Sequence, residues 1–131
     1  MPDILTDLYE IVERRKAERE EGSYTVYLFD SGLDKILKKL GEETAETIIA
    51  AKNLRAAEAA IQGDASTAMT EGEPEGTAAI AAAEREALVG EAGDLIYHLV
   101  VMLNELGVRP EEVEALLRER MKKTGNLKKS K

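Results

Sequence analysis

A long helical periodicity is the feature that most restricts how this chain can fold. Between Leu33 and Ala51, apolar or small side chains recur every three or four residues, which places them on one face of an α-helix. A strand would instead need alternation at every second residue. We predict a helix that starts near residues 31–34, ends near Ala60 and packs through this stripe. The stripe consists of Leu33, Ile36, Leu37, Leu40, Thr44, Ile48 and Ala51.

Most of the remaining chain also favours helices. Apolar spacing predicts a first helix over residues 3–20, a third over 78–105 and a fourth from Pro110 to about Lys122. Aromatic residues are only 4% of the 131 residues, and charged residues are 34%, a composition typical of helices packed through aliphatic side chains. The sequence therefore predicts one all-α domain, a bundle of about four helices.

Three segments do not follow the helical pattern. Residues 23–32, SYTVYLFDSG, alternate in character and predict either a short strand or an extended loop. Residues 63–77 combine Gly, Pro and small polar side chains, which indicates a mobile insertion between two helices. The basic tail, residues 124–131, is expected to be frayed.

The run from Leu95 to Leu103 is apolar around nearly the whole helix. A chain of this size cannot easily surround such a helix, so we predict at least a homodimer, in which a second copy covers it. The run is too short to span a bilayer and no basic leader precedes the first helix, so a soluble cytoplasmic protein is expected. The net charge of −8 argues against nucleic-acid binding.

Metal and nucleophile chemistry is restricted by composition. The absence of cysteine excludes disulfides, thiolate catalysis and zinc bound through cysteine. The single histidine, His98, excludes a multi-histidine metal site within one subunit. A metal site in this chain would therefore have to use mainly oxygen ligands.

Three carboxylates fall within five residues of the predicted second helix. On a helical wheel, Glu43 and Glu46 share one margin of the apolar stripe, whereas Glu42 lies further toward solvent. Glu91 and Asp94 have the same spacing beside the apolar part of the third helix. If the two stripes pack together, the four marginal carboxylates can meet at the edge of the core.

Such a cluster needs a compensating charge. Two carboxylates about 5 Å apart repel by about 3 kcal/mol at an effective dielectric constant near 20. Mg²⁺ prefers oxygen ligands and commonly keeps waters and substrate phosphates, so we predict a Mg²⁺ site. The alternative is a solvated helix face, in which Lys38 pairs with Glu42 and Lys39 with Glu43 at i, i+4 spacing.

Two stretches carry a resemblance to a known family. GLDKILKKLGEETAETIIAAKN, residues 32–53, and EAGDLIYHLVVML, residues 91–103, resemble the phosphoribosyl-ATP pyrophosphohydrolases. These belong to the all-α, MazG-like nucleotide pyrophosphohydrolases, which carry an EExxE…ExxD signature. The signature positions in this sequence are Glu42, Glu43, Glu46, Glu91 and Asp94.

The resemblance covers about residues 4–54 and 84–122, including LTDLYEIVERRK and SYTVYLF. The connection between them, residues 55–83, is longer than is usual in that family. Membership implies Mg²⁺-dependent hydrolysis of phosphoribosyl-ATP to phosphoribosyl-AMP and pyrophosphate, a step of histidine biosynthesis. Water would attack between the α- and β-phosphates, and the enzyme would be at least a dimer.

The resemblance also implies roles for individual residues. The metal ligands would be Glu43, Glu46, Glu91 and Asp94, and Glu42 would hold a second metal, orient water or remain solvated. Lysines before the acids could neutralise phosphate charge or simply be solvated, the SYT stretch could contact substrate or close a turn, and the histidine could contact phosphate or pack. The candidate substrate-binding residues are Ser23, Tyr24, Thr25, Lys35, Lys38, Lys39 and His98.

Two other functions remain open. A MazG-like enzyme acting on a deoxy or noncanonical nucleoside triphosphate would carry the same acids, although SYTVYLF and KILKK favour the histidine-pathway substrate. A non-catalytic helical interaction module would not need the acids. A carboxylate-bridged di-iron bundle is excluded because it requires two ExxH motifs, and Asp94 stands where such a histidine would be.

Overall fold

Five α-helices make up the described part of the chain, which is residues 3–66 and 74–123 of a computed structural model. Within these residues there is no β-strand. The all-α prediction is confirmed, although the expected number of helices was one too low. The helices are α1 (Ile4–Glu18), α2 (Tyr24–Ser31), α3 (Leu33–Ser66), α4 (Pro74–Glu105) and α5 (Pro110–Met121).

Local signals in the sequence account for the ends of α1 and α5. The Asp3 side chain caps α1 by accepting a hydrogen bond from the Leu5 backbone N–H at 3.1 Å. Pro110 occupies the first turn of α5, where a missing N–H costs nothing. Gly107, with a φ of 69°, follows the last residues of α4 in a conformation that favours glycine. The predicted bounds of α1 and α5 agree with these ends to within two residues.

The expectation of a strand or an extended loop over residues 23–32 is wrong, because most of this segment is α2. Ser23 caps the helix, with its Oγ accepting from the Val26 N–H at 3.3 Å. Thr25 and Leu28, three residues apart, are both fully buried, as one face of a helix requires. The β-branched and aromatic residues suggested a strand, but the cap and the burial of this face outweigh that propensity.

Helices α3 and α4 are longer than predicted. α3 continues to Ser66 rather than ending near Ala60, and α4 begins at Pro74. The alanine-rich sequence on both sides has high helix propensity, which explains the extension into the predicted loop. The remainder of the predicted insertion, 67–73, and the predicted frayed tail, 124–131, lie outside the described residues.

The chain divides into two units. The terminal unit comprises residues 1–37 and 99–131, and the central unit comprises residues 38–98. In the terminal unit, α1 packs against α2 and α5. Its buried apolar side chains are Tyr9, Val12, Leu28, Ile36, Val100 and Val101.

The central unit buries a different face of α3 from the one predicted. Glu43 and Ala50 are buried and Thr47 is half-buried, whereas Ile48 of the predicted stripe is 60% exposed. The Thr47 hydroxyl lies 2.7 Å from the Glu43 carbonyl oxygen and 3.2 Å from the Glu91 carbonyl oxygen. This contact, together with small Ala50, turns the acidic margin of α3 toward α4. Thr44, Ile48 and Ala51, expected to pack inward, are exposed.

Among the described residues, no helix has both the length and the hydrophobicity needed to cross a membrane.

Candidate metal centre

Carboxylates from α3 and α4 meet within the central unit. Glu43, Glu91 and Asp94 each offer one carboxylate oxygen, and these three oxygens all lie within 4.8 Å of one another. Glu46 is included with them because its carboxyl group raises the pKa of both Glu43 and Glu91. These four residues are called the acidic cluster below. The i, i+3 spacing on each helix and the Thr47 contact between the helices bring them together.

Two oxygen atoms of the acidic cluster are buried without partners. Glu43 is only 7% exposed. Its Oε2 atom and the Oε2 atom of Glu91 are inaccessible to solvent, and neither has a hydrogen-bond partner among the described residues. A buried carboxylate without a partner is costly, because it loses its hydration and gains nothing in exchange. This arrangement is typical of a site that binds a cation.

The electrostatics of the acidic cluster agree with this interpretation. Burial raises the pKa of Glu43 above its usual value of 4.5, and the nearby Glu46 and Asp94 raise it further. Lys39 acts in the opposite direction on that pKa. For Glu91, the largest cause of the raised pKa is the hydrogen-bonded Glu46 carboxyl, followed by burial. The cluster therefore binds positive charge, either a proton or a cation, more readily than isolated acids do.

The donor set fits a hard divalent cation. All ligand atoms are carboxylate oxygens, which Mg²⁺ and Ca²⁺ prefer and which soft metals do not. Ligand oxygens of octahedral Mg²⁺ are about 3–4 Å apart, so side-chain rotations would bring the three oxygens from the observed spacing to a bound one. Glu43 is buried, Glu91 is half-buried and Asp94 is exposed, so one side of the cluster is accessible from solvent.

Lysine side chains at the start of the central unit differ in their surroundings. The half-buried Lys39 places its Nζ 3.1 Å from Glu42 Oε2 and 4.0 Å from Glu43 Oε1. Lys38 is exposed. Glu42 is thus an ion-pair partner of Lys39 beside the acidic cluster, and Lys39 brings a positive charge to its edge.

His98 is held close to one member of the acidic cluster. It is 4% exposed, and its Nδ1 lies 2.6 Å from the Asp94 backbone carbonyl oxygen. Because a carbonyl oxygen only accepts, the Nδ1 of His98 carries the hydrogen in this contact. The imidazole also makes an edge contact with the Tyr97 ring, with centroids 5.1 Å apart.

The other candidate substrate-binding residues belong to the terminal unit. The Ser23 hydroxyl caps α2, and Thr25 is buried. Tyr24 is exposed, and its ring stacks on that of Tyr27 with centroids 6.0 Å apart. The Lys35 Nζ lies 6.0 Å from the Tyr27 ring centroid. These contacts give the Ser23 hydroxyl a structural role and leave one face of the tyrosine pair toward solvent.

Sequence reasoning missed a groove beside the acidic cluster. Its volume is about 200 Å³, and it includes Asn53 and Glu84 as well as two of the cluster acids. The signal was present in the spacing, because Asn53 follows Glu46 by seven residues and Glu84 precedes Glu91 by seven. Seven residues are two helical turns, so each pair shares a helix face.

Comparison with known proteins identifies the family of this chain. The model of the phosphoribosyl-ATP pyrophosphohydrolase family matches residues 5–121, which include the whole cluster. The chain belongs to this family. The resemblance to this family that the sequence motifs indicated is confirmed.

Curated relatives support the same assignment over nearly the whole chain. A phosphoribosyl-ATP pyrophosphatase of Streptococcus thermophilus is 42% identical over 124 residues, which cover 95% of this chain and 91% of that protein. A phosphoribosyl-ATP pyrophosphatase of Pelotomaculum thermopropionicum is 43% identical over 121 residues, covering 92% and 94% respectively. One of Clostridium novyi is 37% identical over 126 residues, covering 96% and 88%.

Proposed function

We propose that this chain hydrolyses phosphoribosyl-ATP to phosphoribosyl-AMP and pyrophosphate in a Mg²⁺-dependent step of histidine biosynthesis. Family membership supports the substrate and the reaction. One structural observation carries the location of the site: the Oε2 atoms of Glu43 and Glu91 are buried and without partners among the described residues. These two atoms belong to one cluster of carboxylates, which is what a divalent cation requires.

The four residues of the acidic cluster would hold the metal. When bound, Mg²⁺ supplies Lewis-acid polarisation of phosphoryl oxygens and lowers the pKa of a coordinated water. The burial of Glu43 restricts its carboxylate to one position, and the exposed Asp94 lies on the side from which substrate can enter. Water attacks one phosphorus atom of the α–β phosphoanhydride and forms a P–O bond to it, while the bond from that phosphorus to the bridging oxygen breaks. Loss of the water proton to solvent then leaves phosphoribosyl-AMP and pyrophosphate, which contains the β- and γ-phosphates.

Positively charged and polar side chains near the acids have supporting roles in this proposal. Lys39, beside Glu43, offsets part of the negative charge of the acidic cluster and the triphosphate. His98 positions Asp94 through the contact of its Nδ1 with the Asp94 carbonyl oxygen. Glu42 acts mainly through its ion pair with Lys39. A substrate contact by Lys38, which is exposed in the same unit as the acidic cluster, is also part of the proposal.

A homo-oligomer, at least a dimer, completes the proposal. Apolar side chains of the central unit are exposed in the single chain, including Ile48 at 60% and Val89 at 68%. Exposed apolar side chains of this size are typical of surfaces that another protein covers. Sedimentation equilibrium at micromolar concentration is expected to give a dimer or a larger assembly, and a stable monomer would contradict the idea.

The decisive experiment is a product assay with purified protein. Pyrophosphate and phosphoribosyl-AMP are measured after incubation with phosphoribosyl-ATP, with and without Mg²⁺, and beside a panel of deoxy and noncanonical nucleoside triphosphates. We expect turnover of phosphoribosyl-ATP only with the metal. Asp94→Asn should be inactive, whereas Glu86→Gln, an exposed acid on the same helix outside the cluster, should match wild type.

Two results would overturn the proposal. Full turnover in the presence of a chelator would remove the role of the acidic cluster. Pyrophosphate release from another triphosphate, with none from phosphoribosyl-ATP, would assign a different substrate to the same acids.

A further inference from the structure

The groove beside the acidic cluster lies between α3 and α4 within the central unit. It shares Glu46 and Glu91 with the cluster, and it extends along α3 to Asn53 and along α4 to Glu84. On each helix, seven residues separate the shared acid from the far end, which corresponds to about 10 Å. The groove therefore leads from the acids to a second polar end two helical turns away.

The residues that line the groove indicate what it can bind. Ile49, Ala50 and Ala87 form its middle, where small side chains leave room and the isoleucine offers an apolar surface. The far end carries the Asn53 amide, which both donates and accepts, and the Glu84 carboxylate, which accepts. No lysine or arginine is among the described residues that line it. A phosphate is therefore disfavoured, and a flat ring with polar edges is favoured.

Size and position restrict the occupant further. The volume of about 200 Å³ is smaller than the roughly 300–1,000 Å³ of clefts that bury a whole drug-sized ligand. It suits one ring system attached to a larger molecule. Under the proposed function, the acidic cluster at one end would hold the metal and the phosphates, so a ring at the other end would lie across a ribose from them.

We propose that this groove is the subsite for the base of the nucleotide substrate, and that Asn53 determines specificity by reading the base edge. An asparagine amide matches the adjacent donor and acceptor on the edge of adenine. Glu84 accepts a further hydrogen bond from an exocyclic nitrogen. The inference rests on the proposed function, because the nucleotide nature of the substrate comes from it.

Kinetics of a matched pair of variants test the role of Asn53. Asn53→Ala should raise KM for phosphoribosyl-ATP about fivefold to tenfold and leave kcat within about twofold, because the lost hydrogen bonds stabilise bound substrate and transition state equally. Lys52→Ala is the control, since Lys52 is the exposed neighbour outside the groove lining. An unchanged KM in Asn53→Ala would overturn the assignment.

A second pair tests the volume of the groove. Ala87→Leu should raise KM by filling the middle of the groove, whereas Ala83→Leu, one turn earlier on α4 and outside the lining, should not. The shift in melting temperature produced by Mg²⁺ should be the same in all these variants and wild type, which shows that the acidic cluster is intact. Equal KM values for the two leucine variants would contradict the base subsite.

Direct binding separates this inference from the proposed function. AMP and ribose 5-phosphate are titrated calorimetrically into wild type, Asn53→Ala and Lys52→Ala. AMP should bind wild type and Lys52→Ala alike, bind Asn53→Ala about fivefold to tenfold more weakly, and bind wild type more tightly than ribose 5-phosphate does.

The titration tests whether the groove binds the base even if the protein does not hydrolyse phosphoribosyl-ATP. If wild type does not hydrolyse phosphoribosyl-ATP, the proposed function fails, but the loss of AMP affinity in Asn53→Ala still supports the base subsite. No AMP binding by wild type at millimolar concentration, equal AMP affinity in both variants, or equal affinity for ribose 5-phosphate would overturn it.

Discussion

Two buried polar residues, one in each unit, differ in how their polar atoms are satisfied. In the terminal unit, Asn104 is 3% exposed, its amide donates to Glu13 Oε1 at 2.7 Å, and its carbonyl oxygen accepts from Lys16 Nζ at 3.3 Å. In the central unit, Glu43 is almost as buried, and its Oε2 has no partner among the described residues.

Under the proposed function, the difference separates a group that stabilises the fold from one that would bind a metal. Buried polar groups in native proteins are normally hydrogen-bonded, so the Asn104 contacts are what folding alone would produce. The unpartnered oxygens of Glu43 and Glu91 depart from that rule. Departures of this kind concentrate at functional sites, because binding a ligand there recovers the cost.

The largest expected effect is on activity. Substitutions in the acidic cluster of the central unit should remove activity, whereas substitution of the buried asparagine of the terminal unit should not. Glu43→Gln, Glu91→Gln and Asp94→Asn should each lower kcat/KM for phosphoribosyl-ATP by at least about 100-fold, because even changes to residues that only support metal ligands cost about 10–100-fold. Glu46→Gln should behave in the same way. Steady-state assays at saturating Mg²⁺ provide the measurement.

Asn104→Ala is the matched control for that series, since it also removes a buried polar group. Folded Asn104→Ala protein should retain activity near that of wild type. Near-wild-type turnover by Asp94→Asn would instead mean that the acids are a solvated helix face. The difference in hydrogen bonding between Asn104 and Glu43 would then not indicate a functional site.

The next largest effect is on stability. Here Asn104→Ala should be the more damaging variant and Glu43→Gln the milder one, the reverse of their expected effects on activity. Asn104→Ala should lower the free energy of unfolding by about 1–3 kcal/mol, because it removes two hydrogen bonds and leaves a cavity. Glu43→Gln in metal-free protein should leave stability unchanged or raise it slightly, since it removes one charge from the acidic cluster. Urea unfolding in the presence of a chelator measures both. A loss of stability in Glu43→Gln comparable to that in Asn104→Ala would contradict the comparison.

The acidic cluster should also make stability depend on pH. The folded pKa values of Glu43 and Glu91 are raised above the 4.5 expected in the unfolded chain. The folded state therefore binds these protons more tightly, so lowering the pH through the raised pKa values stabilises metal-free protein, and the gain is complete below 4.5. Raising the pH through the same window removes that stability.

Other carboxyls titrate as well, so the test compares two proteins. Asp30 and Glu111 have lowered pKa values through their arginine partners and act in the opposite direction. The difference in unfolding free energy between wild type and Glu43→Gln should shrink as the pH falls toward 4.5. If this difference is independent of pH, the pKa of Glu43 is not raised by its surroundings.

Metal binding should also stabilise the protein. Saturating Mg²⁺, at about 100 times its Kd, should add about 2.7 kcal/mol to the free energy of unfolding of wild type.

Much of the fold was predictable because helix periodicity and end signals are local. The bounds of α1 and α5 follow from Asp3, Pro110 and neighbouring apolar spacing. α2 was missed because its eight residues are too few for a 3.6-residue period to stand out from alternation. Its cap, Ser23, was visible in the sequence, but the burial of Thr25 is a tertiary effect.

The acidic cluster was predictable as a set of residues but not in its burial. The i, i+3 spacing placed Glu43 and Glu46 at a margin of the predicted stripe, whereas the structure puts Glu43 on the buried face of α3. The contact that turns the helix is the Thr47 hydroxyl against the Glu91 carbonyl oxygen, and it depends on residues 44 positions apart. No pattern within one helix contains that information, so the unpartnered oxygens could only be found in three dimensions.

The smallest expected effect concerns Glu42, which lies beside the acidic cluster but has the kind of partner that Glu43 Oε2 lacks. Its Oε2 is 3.1 Å from Lys39 Nζ, a pair that is partly exposed and so contributes about 0–1 kcal/mol. Glu42→Gln should therefore lower kcat/KM by no more than about fivefold, since about 1.4 kcal/mol corresponds to a factor of ten.

A matched control for Glu42 exists on the same helix: Arg55 and Glu58 form another i, i+3 pair, at 3.5 Å. Glu58→Gln should not change kcat/KM, so any difference between the two variants reports the position of Glu42 beside the acidic cluster. A 100-fold loss in Glu42→Gln would place Glu42 among the residues that bind metal or substrate. The presence of an ion-pair partner would then no longer distinguish structural acids from functional ones in this protein.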